Sequence, residues 1–495
     1  MENEFAMIAA EKNGSEDSSF WAVIKKRKWL IIAATVAAVI MLLPTPDSVT
    51  MGGKEIALTA GGQKMLALLA FLIICFITEA FPLGAAIGVI YAWIVLAGVV
   101  PAGEAAKLFA NDVNWFLLGA LMIAAVLVKY KFHKRILVII LEIFGTKTKV
   151  LLFGLMAFAL IASAFIADHT VAALLLPIAI AIVEASGGFK KVPNLAKLLL
   201  FGIAYSAAIG GLMTPSGGSR NIIMMGYLDQ FYGVSMTFKG WITMAAPVGL
   251  LLLPIIWKTL CWKFKPEIND LKEVVTDIKS EMSVSRITFK EIGVLLIFLG
   301  ILAMWVFGGE GRLGMIAILG GASFLILGFV QWSDYQDISW DIVLLYFAAI
   351  GLGVALKESG GATWVAAKGL EMMGSIIPLN AVTVTGFGTL MMTLVTELMA
   401  DGPAVATVAP ILLELAKLTG VDVVVFGMGV AIASSFAFML VIATPPNAII
   451  YSSGYLKAKD FLKAGGGIIL LALPLLWFIM YFWWGWLGVG VNGFH

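Results

Sequence analysis

The sequence predicts an all-α polytopic membrane protein made of two inverted repeats, each with a re-entrant hairpin and an interrupted helix. Three observations carry that prediction. First, 61% of the 495 residues are hydrophobic and 13% are charged, with a mean hydropathy of +0.99. Soluble domains average about 45–50% apolar and about 25% charged residues. Second, apolar runs recur along the whole chain, giving about 11 spans long enough to cross or nearly cross a hydrocarbon core of about 30 Å. None alternates in the ten-residue segments of a β-barrel. Third, two of the apolar regions carry an Ala-Asp pair in their middle, and the motifs around those pairs return in the same order.

Taken from the N-terminus, a polar, acidic stretch precedes the basic run KKRK (25–28). It has no short basic start or small-residue cleavage site, so it reads as a cytoplasmic tail rather than a signal peptide. Simple spans follow at 29–43, 65–81, 83–100, 113–128, 198–213 and 242–257. After a charged stretch come 292–307, 313–330, 342–355, 423–442 and 464–483. Two apolar regions, 150–183 and 381–415, are broken at ADHT and ADGP. Their second arms of about 12–13 residues would reach only about 20 Å. A re-entrant hairpin with a polar tip at mid-membrane accounts for them, because irregular backbone at that depth must be buried in protein or face a water-filled cavity.

The basic clusters KYKFHKR (129–135) and FKK (189–191) then lie in the cytoplasm, as does the 262–291 linker. That linker carries Ile268, Leu271, Val275 and Ile278 at helical spacing, which suggests an interfacial helix. The plan divides the chain into a cytoplasmic tail (1–28), a first helix with an external loop (29–62), a first repeat (63–261), a linker helix (262–291) and a second repeat (292–495). The expected location is the plasma membrane, the inner membrane of a bacterium, among membrane lipids.

The repeats are visible in the letters. ADHTVAALLLP (167–177) and ADGPAVATVAP (400–410) both end in Pro nine residues after Asp. MTPSGGSRNIIMMGYL (213–228) answers ATPPNAIIYSSGYL (443–456). An odd number of spans or hairpins separates corresponding points, which inverts the second half. Inverted repeats with paired interrupted helices indicate a secondary transporter with its site at the midplane.

The net charge of +2 is uninformative about partners, and the basic residues sit at the ends of apolar runs, so no nucleic-acid partner is expected. Cys75 and Cys261 are too few and too separated for a disulfide scaffold. His133, His169 and His495 do not form a multi-histidine metal centre.

Four broken elements should converge: tips at 167–170 and 400–403, and unwound segments at 214–221 and 444–447. A carboxylate in hydrocarbon costs at least about 2.5–3.5 kcal/mol, so Asp168 and Asp401 point to function. Half-helix N–H ends suit an anion and carbonyl ends suit a small cation. The candidate binding residues are Asp168, His169 and Thr170 at the first tip, with Asp401, Gly402 and Pro403 at the second. The first break offers Thr214, Pro215, Ser216, Gly217, Gly218, Ser219, Arg220 and Asn221, and the second Thr444, Pro445 and Asn447. The glycines let backbone approach a ligand closely, while the Thr and Asn side chains can serve either ion. Arg220 reads as pairing with substrate or with an aspartate, the alternative being an interfacial arginine. His169 reads either as a proton carrier or as a polar residue fixing the tip. Glu79 and Glu397 read as structural or interfacial.

At FIADHTVAALLLP, SAAIGGLMTPSGGSRN, VIATPPNAIIYSSGYL and GLGVALKESGG (351–361) the chain resembles the divalent anion/sodium symporter family, the INDY-type dicarboxylate and citrate transporters. The resemblance implies a homodimer whose protomers pair a scaffold with a moving transport part, in an elevator-type motion. It also implies Ser-Asn-Thr tips that hold sodium and touch substrate carboxylates. Here the tips are Ala167-Asp168-His169 and Ala400-Asp401-Gly402, with Asn replaced by Asp twice and the flanking hydroxyls gone.

Two functional classes remain. One is a cation-coupled transporter of a small organic anion, a di- or tricarboxylate or a related anion. Arg220 and hairpin N–H groups would hold the anion, and Asp168 and Asp401 would take the coupling ion, sodium or a proton. The other is a cation/proton antiporter using the same aspartates. No nucleophile–base pair or metal cluster supports an intramembrane enzyme, and no cofactor is expected beyond the coupling ion.

Overall fold

The computed structural model describes residues 27–51, 53–132, 135, 142–281, 287–308, 312–336 and 338–489. The expected cytoplasmic tail up to Lys26, His133 and Lys134, residues 282–286 of the linker, and the C-terminal VNGFH lie outside the described residues.

The chain opens with α1 (Lys28–Leu42), a β-hairpin of β1 (Val49–Met51) and β2 (Lys54–Ile56), α2 (Ala60–Ile77), α3 (Ala86–Leu96), α4 (Ala102–Leu108) and α5 (Asp112–Lys129). The first hairpin is α6 (Thr148–Ser163) and α7 (Asp168–Ala185). The first interrupted helix is α8 (Pro193–Gly211) and α9 (Ser219–Tyr232), followed by α10 (Phe238–Lys263). The linker helix α11 (Lys272–Glu281) leads to α12 (Phe289–Phe307), α13 (Leu313–Ile326), α14 (Trp340–Glu358) and α15 (Gly361–Gly374). The second hairpin is α16 (Ala381–Leu398) and α17 (Asp401–Thr419). It precedes the broken pair α18 (Val423–Ala433) and α19 (Pro445–Tyr451), then α20 (Ala458–Ile479).

Ten helices among the described residues are long and apolar enough to cross a membrane. Helices also lie at all the expected simple spans, those in α1, α3, α13 and α18 being shorter. The chain is an all-α polytopic membrane protein.

Two expectations are corrected. The span expected at 423–442 stops at Ala433, and seven residues of irregular backbone precede a short 3-10 turn at Val441–Ala443, so the second break precedes the expected 444–447, where Pro445 already opens a helix. The second hairpin arms have 18 and 19 residues, not about a dozen. At 1.5 Å per residue they extend about 27 and 28 Å. Polar residues at the tips suggested unwound backbone there, yet Asp168 and Asp401 occupy the first helical position, where a negative charge meets the positive end of the helix dipole.

Small residues set the closest helix contacts. A Cβ at Gly119 would collide with the Ala317 backbone, and one at Gly210 with the Leu160 carbonyl. Backbone approach of this kind is how helices associate where lipid supplies no hydrophobic drive between them. The two repeats interlock reciprocally: α7 packs on α19 of the second repeat, and α17 packs on α9 of the first. This exchange brings the two tips to the two breaks.

The linker is docked on protein rather than lying free. Leu271 and Val275 are buried, and α11 packs against α7. Thr148 N–H donates to Asn269 O at 3.0 Å, while the Glu267 carboxylate accepts from the N–H groups of Asn194 and Leu195 at the start of α8. The linker thereby ties together the first turns of α6 and α8.

Candidate functional site

The two tips are built alike. α6 ends at Ser163 and α16 at Leu398, and after a short turn Asp168 and Asp401 open α7 and α17. Asp168 Oδ1 accepts from His169 N–H at 2.7 Å, and Asp401 Oδ1 accepts from Gly402 N–H at 2.7 Å. The second oxygen of each carboxylate faces the same group. Arg220 Nη1 donates to Asp168 Oδ2 at 3.3 Å and also to Asp401 Oδ2.

Arg220 lies in the first turn of α9 and is 1% exposed. Its Nε donates to Ser435 Oγ at 2.6 Å and its Nη2 to Ala208 O at 2.9 Å. One side chain therefore joins both hairpin tips, the end of α8 and the irregular stretch after α18. Two carboxylates face one guanidinium, and His169 Nδ1 lies 3.6 Å from Asp168 Oδ1 beside them. Breaking such a buried pair typically costs about 3–5 kcal/mol, because a charge is left without its partner.

The breaks also match each other. Asn221 Nδ2 donates to Gly211 O at 2.8 Å and Thr214 O at 2.7 Å. Asn447 Nδ2 donates to Ala437 O at 3.2 Å and Leu440 O at 3.0 Å. Both amides reach back ten and seven residues, closing the carbonyls that the break frees. This fixes the register as Asn221 with Asn447, so the 3-10 turns Pro215–Gly217 and Val441–Ala443 correspond. The Thr-Pro dipeptides matched by letter are not equivalent. Thr214 caps the 3-10 turn, accepting from Gly217 N–H at 3.1 Å. Thr444 instead caps the helix that follows, accepting from Asn447 N–H at 3.4 Å.

Each break is tied to its hairpin by opposite chemistry. In the first repeat the Thr214 hydroxyl donates to Ala164 O. In the second, the Glu397 carboxylate accepts from the N–H groups of Phe438, Met439 and Leu440 at 2.9 to 3.1 Å. Glu397 is thus a structural clamp. Glu79 is exposed and sits in left-handed backbone with φ 49°.

A cavity of about 70 Å³ lies between these elements. It is lined by Asp168, His169, Ser216, Gly217, Gly218, Ser219, Arg220, Asp401, Gly402, Pro403 and Pro445 from the expected set. Thr170 faces a neighbouring cavity of about 250 Å³ that also reaches Ala167 and His169. Thr214, Pro215, Asn221, Thr444 and Asn447 do not line the central cavity and hold the breaks in shape behind it. A third cavity, of about 600 Å³, meets the second tip at Ala400 and Pro403.

Around Gly217, backbone oxygens converge. A methyl there would stand 2.7 Å from Ser163 O, 2.9 Å from Gly211 O and 3.0 Å from Ala164 O. Carbonyl ends of two helices meet there as a cradle, in which Gly211 O and Ala164 O also accept from Asn221 Nδ2 and Thr214 Oγ1. Three features were missed in the sequence: Ser435, Tyr346 on α14, which packs on Gly402, and this cradle. The Ser434-Ser435 doublet inside an apolar run was the available signal for the first.

Paired hairpins, paired broken helices and an ion cluster between them define a membrane transporter. The chain belongs to the family described as sodium:sulfate symporter transmembrane region, whose model matches residues 25–490. It is 25% identical over 481 residues to a sodium-dependent dicarboxylate transporter of Staphylococcus saprophyticus, covering 92% of this chain and 90% of that one. It is 27% identical over 432 residues to a sodium-dependent high-affinity dicarboxylate transporter of Caenorhabditis elegans, covering 77% and 76%. Its fold is similar to the YdaH transporter of Alcanivorax borkumensis (TM-score 0.54, 12% identity, 94% and 98% covered). It is also similar to MtrF of Neisseria gonorrhoeae (TM-score 0.52, 13% identity, 92% and 94% covered).

Proposed function

We propose that this protein is a secondary active transporter that moves a small organic anion, a di- or tricarboxylate, together with sodium. The observation that carries the reading is the meeting of two hairpin aspartates, one arginine and three helix N-termini at a single buried cavity. N–H ends of α7, α9 and α17 favour an anion, while the carboxylates and the carbonyls around Gly217 favour a cation. The relatives' sodium dependence supports sodium as the coupling ion. The protein works as a homodimer in which the hairpins and broken helices move together against the remaining helices.

Uptake into proteoliposomes tests this. Labelled succinate and citrate should accumulate under an inward sodium gradient and not under choline. No accumulation of either under a sodium or a proton gradient would overturn the reading.

A further inference from the structure

We propose that Arg220 is a tethered counter-ion standing where the coupling cation acts, so that cation binding at the aspartates releases the guanidinium to receive the anion. This rests on the symporter reading above and supplies the linkage that reading lacks. Four of the five N–H groups of Arg220 are already committed: Nε to Ser435, one on Nη2 to Ala208 O, and both on Nη1 to the aspartates. An anion arriving at this cluster finds one free guanidinium N–H and meets two carboxylates. The cavity, at about 70 Å³, is also well below the roughly 300 Å³ at which ligand pockets begin.

The bonds differ in how easily they are surrendered. Ser435 and Ala208 hold Nε and Nη2 from the side of the broken helices, and need not move. Only Nη1 is shared with the hairpin aspartates, and each carboxylate keeps a second bond to its own helix, at His169 N–H or Gly402 N–H. A monovalent cation against Asp168 or Asp401 replaces the guanidinium as counter-charge and repels it at short range in a medium of low dielectric. The freed Nη1 edge stays in the cavity, beside His169 and the N-termini of α7 and α17. Its guanidinium is the fixed positive charge there that an incoming carboxylate can pair with. Cation first, anion second, follows from which bonds are occupied.

The consequence is reciprocal linkage: anion must raise cation affinity and cation must raise anion affinity by the same factor. The test uses the purified full chain, with sodium chloride titrated against choline chloride at constant ionic strength, with and without succinate, at two pH values. In the wild type, succinate should raise apparent sodium affinity by about tenfold or more. In Arg220→Gln, sodium should bind about tenfold or more tighter without succinate, and succinate should add nothing. In Asp401→Asn, succinate binding should need less sodium.

Sodium affinity in Arg220→Gln equal to or below that of the wild type would overturn the proposal. Should that variant not fold, Asp401→Asn decides in its place, since an unchanged sodium requirement for succinate binding is incompatible with displacement. Failure of the symporter reading looks different: no anion uptake by the wild type under either gradient, with the sodium response of Arg220→Gln still read independently.

Discussion

Asp168 and Asp401 stand at the same helical position and share two bonds, one to the next N–H and one to Arg220, Asp168 having in addition the His169 imidazole at 3.6 Å. They are one device used twice, which a change at either should reveal. In Asp168→Asn and in Asp401→Asn, the ion dependence of succinate uptake should shift. If neither variant alters the sodium or pH dependence, the aspartates are not the coupling groups. Arg220→Lys keeps the charge but loses the fork that reaches Ser435, Ala208 O and both carboxylates at once, so succinate affinity should fall about tenfold or more. Glu397 offers a stability counterpart to these functional tests. Its carboxylate serves three buried N–H groups, and an amide can serve them only by turning its own donors away. Glu397→Gln should lower stability by about 1.5–3 kcal/mol, read as a lower thermal midpoint in detergent. The ionisable residues themselves were legible in the sequence, because charge in an apolar run is conspicuous. Their partners were not, since a bond between Arg220 and Asp401, 181 positions apart, leaves no local mark.

The hairpins and breaks were likewise legible as elements, from Ala-Asp, Thr-Pro and the glycines, but their internal register was misjudged. Matching Thr-Pro to Thr-Pro aligned a cap of the 3-10 turn with a cap of the next helix. The asparagines, which answer to freed carbonyls, carry the true correspondence. Arm lengths were underestimated because polar residues were read as unwound, whereas an Asp at the first helical position is stabilised by the helix it opens. Pro177 and Pro410 also lie inside helices that continue past them. One contact between elements is testable by a double mutant. A Cβ at Gly402 would collide with Tyr346 Oη, while the Tyr346 ring carbon that bears the hydroxyl would remain 3.2 Å away. Gly402→Ala should therefore destabilise by about 1–3 kcal/mol and reduce uptake. Adding Tyr346→Phe should recover part of both losses. Additive effects in that cycle would mean α14 and α17 do not meet at this contact.

Across the whole molecule, contacts between helix ends sort into two sets. Lys129 pairs with Asp334 at 2.6 Å, Lys197 with Asp460 at 2.8 Å, and the backbones of Lys147 and Asp270 form a β-bridge. At the opposite ends, Thr59 bonds Ser359 O, Asp112 accepts from Gly314 N–H, and Lys357 donates to Phe231 O. Counting crossings from a cytoplasmic N-terminus, with each hairpin returning to its own side, assigns the first set to the cytoplasm and the second outside, without exception among these six. The same count puts Arg27 and Glu79, which line the cavity of about 600 Å³, on the cytoplasmic side, together with Lys129 and Asp334 of the cavity of about 250 Å³. Both cavities reach the hairpin tips, so on that count the tips are approached from the cytoplasmic side, an expectation that thiol labelling checks. With Cys75 and Cys261 replaced by serine, a cysteine at Thr170 or Ala400 should react with an impermeant thiol reagent in inside-out vesicles and stay protected in intact cells. A cysteine at His495 should show the reverse, and one at Lys265 should follow the tips. Labelling of position 495 only after permeabilisation would sink the inverted-repeat plan. Labelling of Thr170 and Ala400 from outside alone would leave the plan standing but assign this conformation to the outward-facing state.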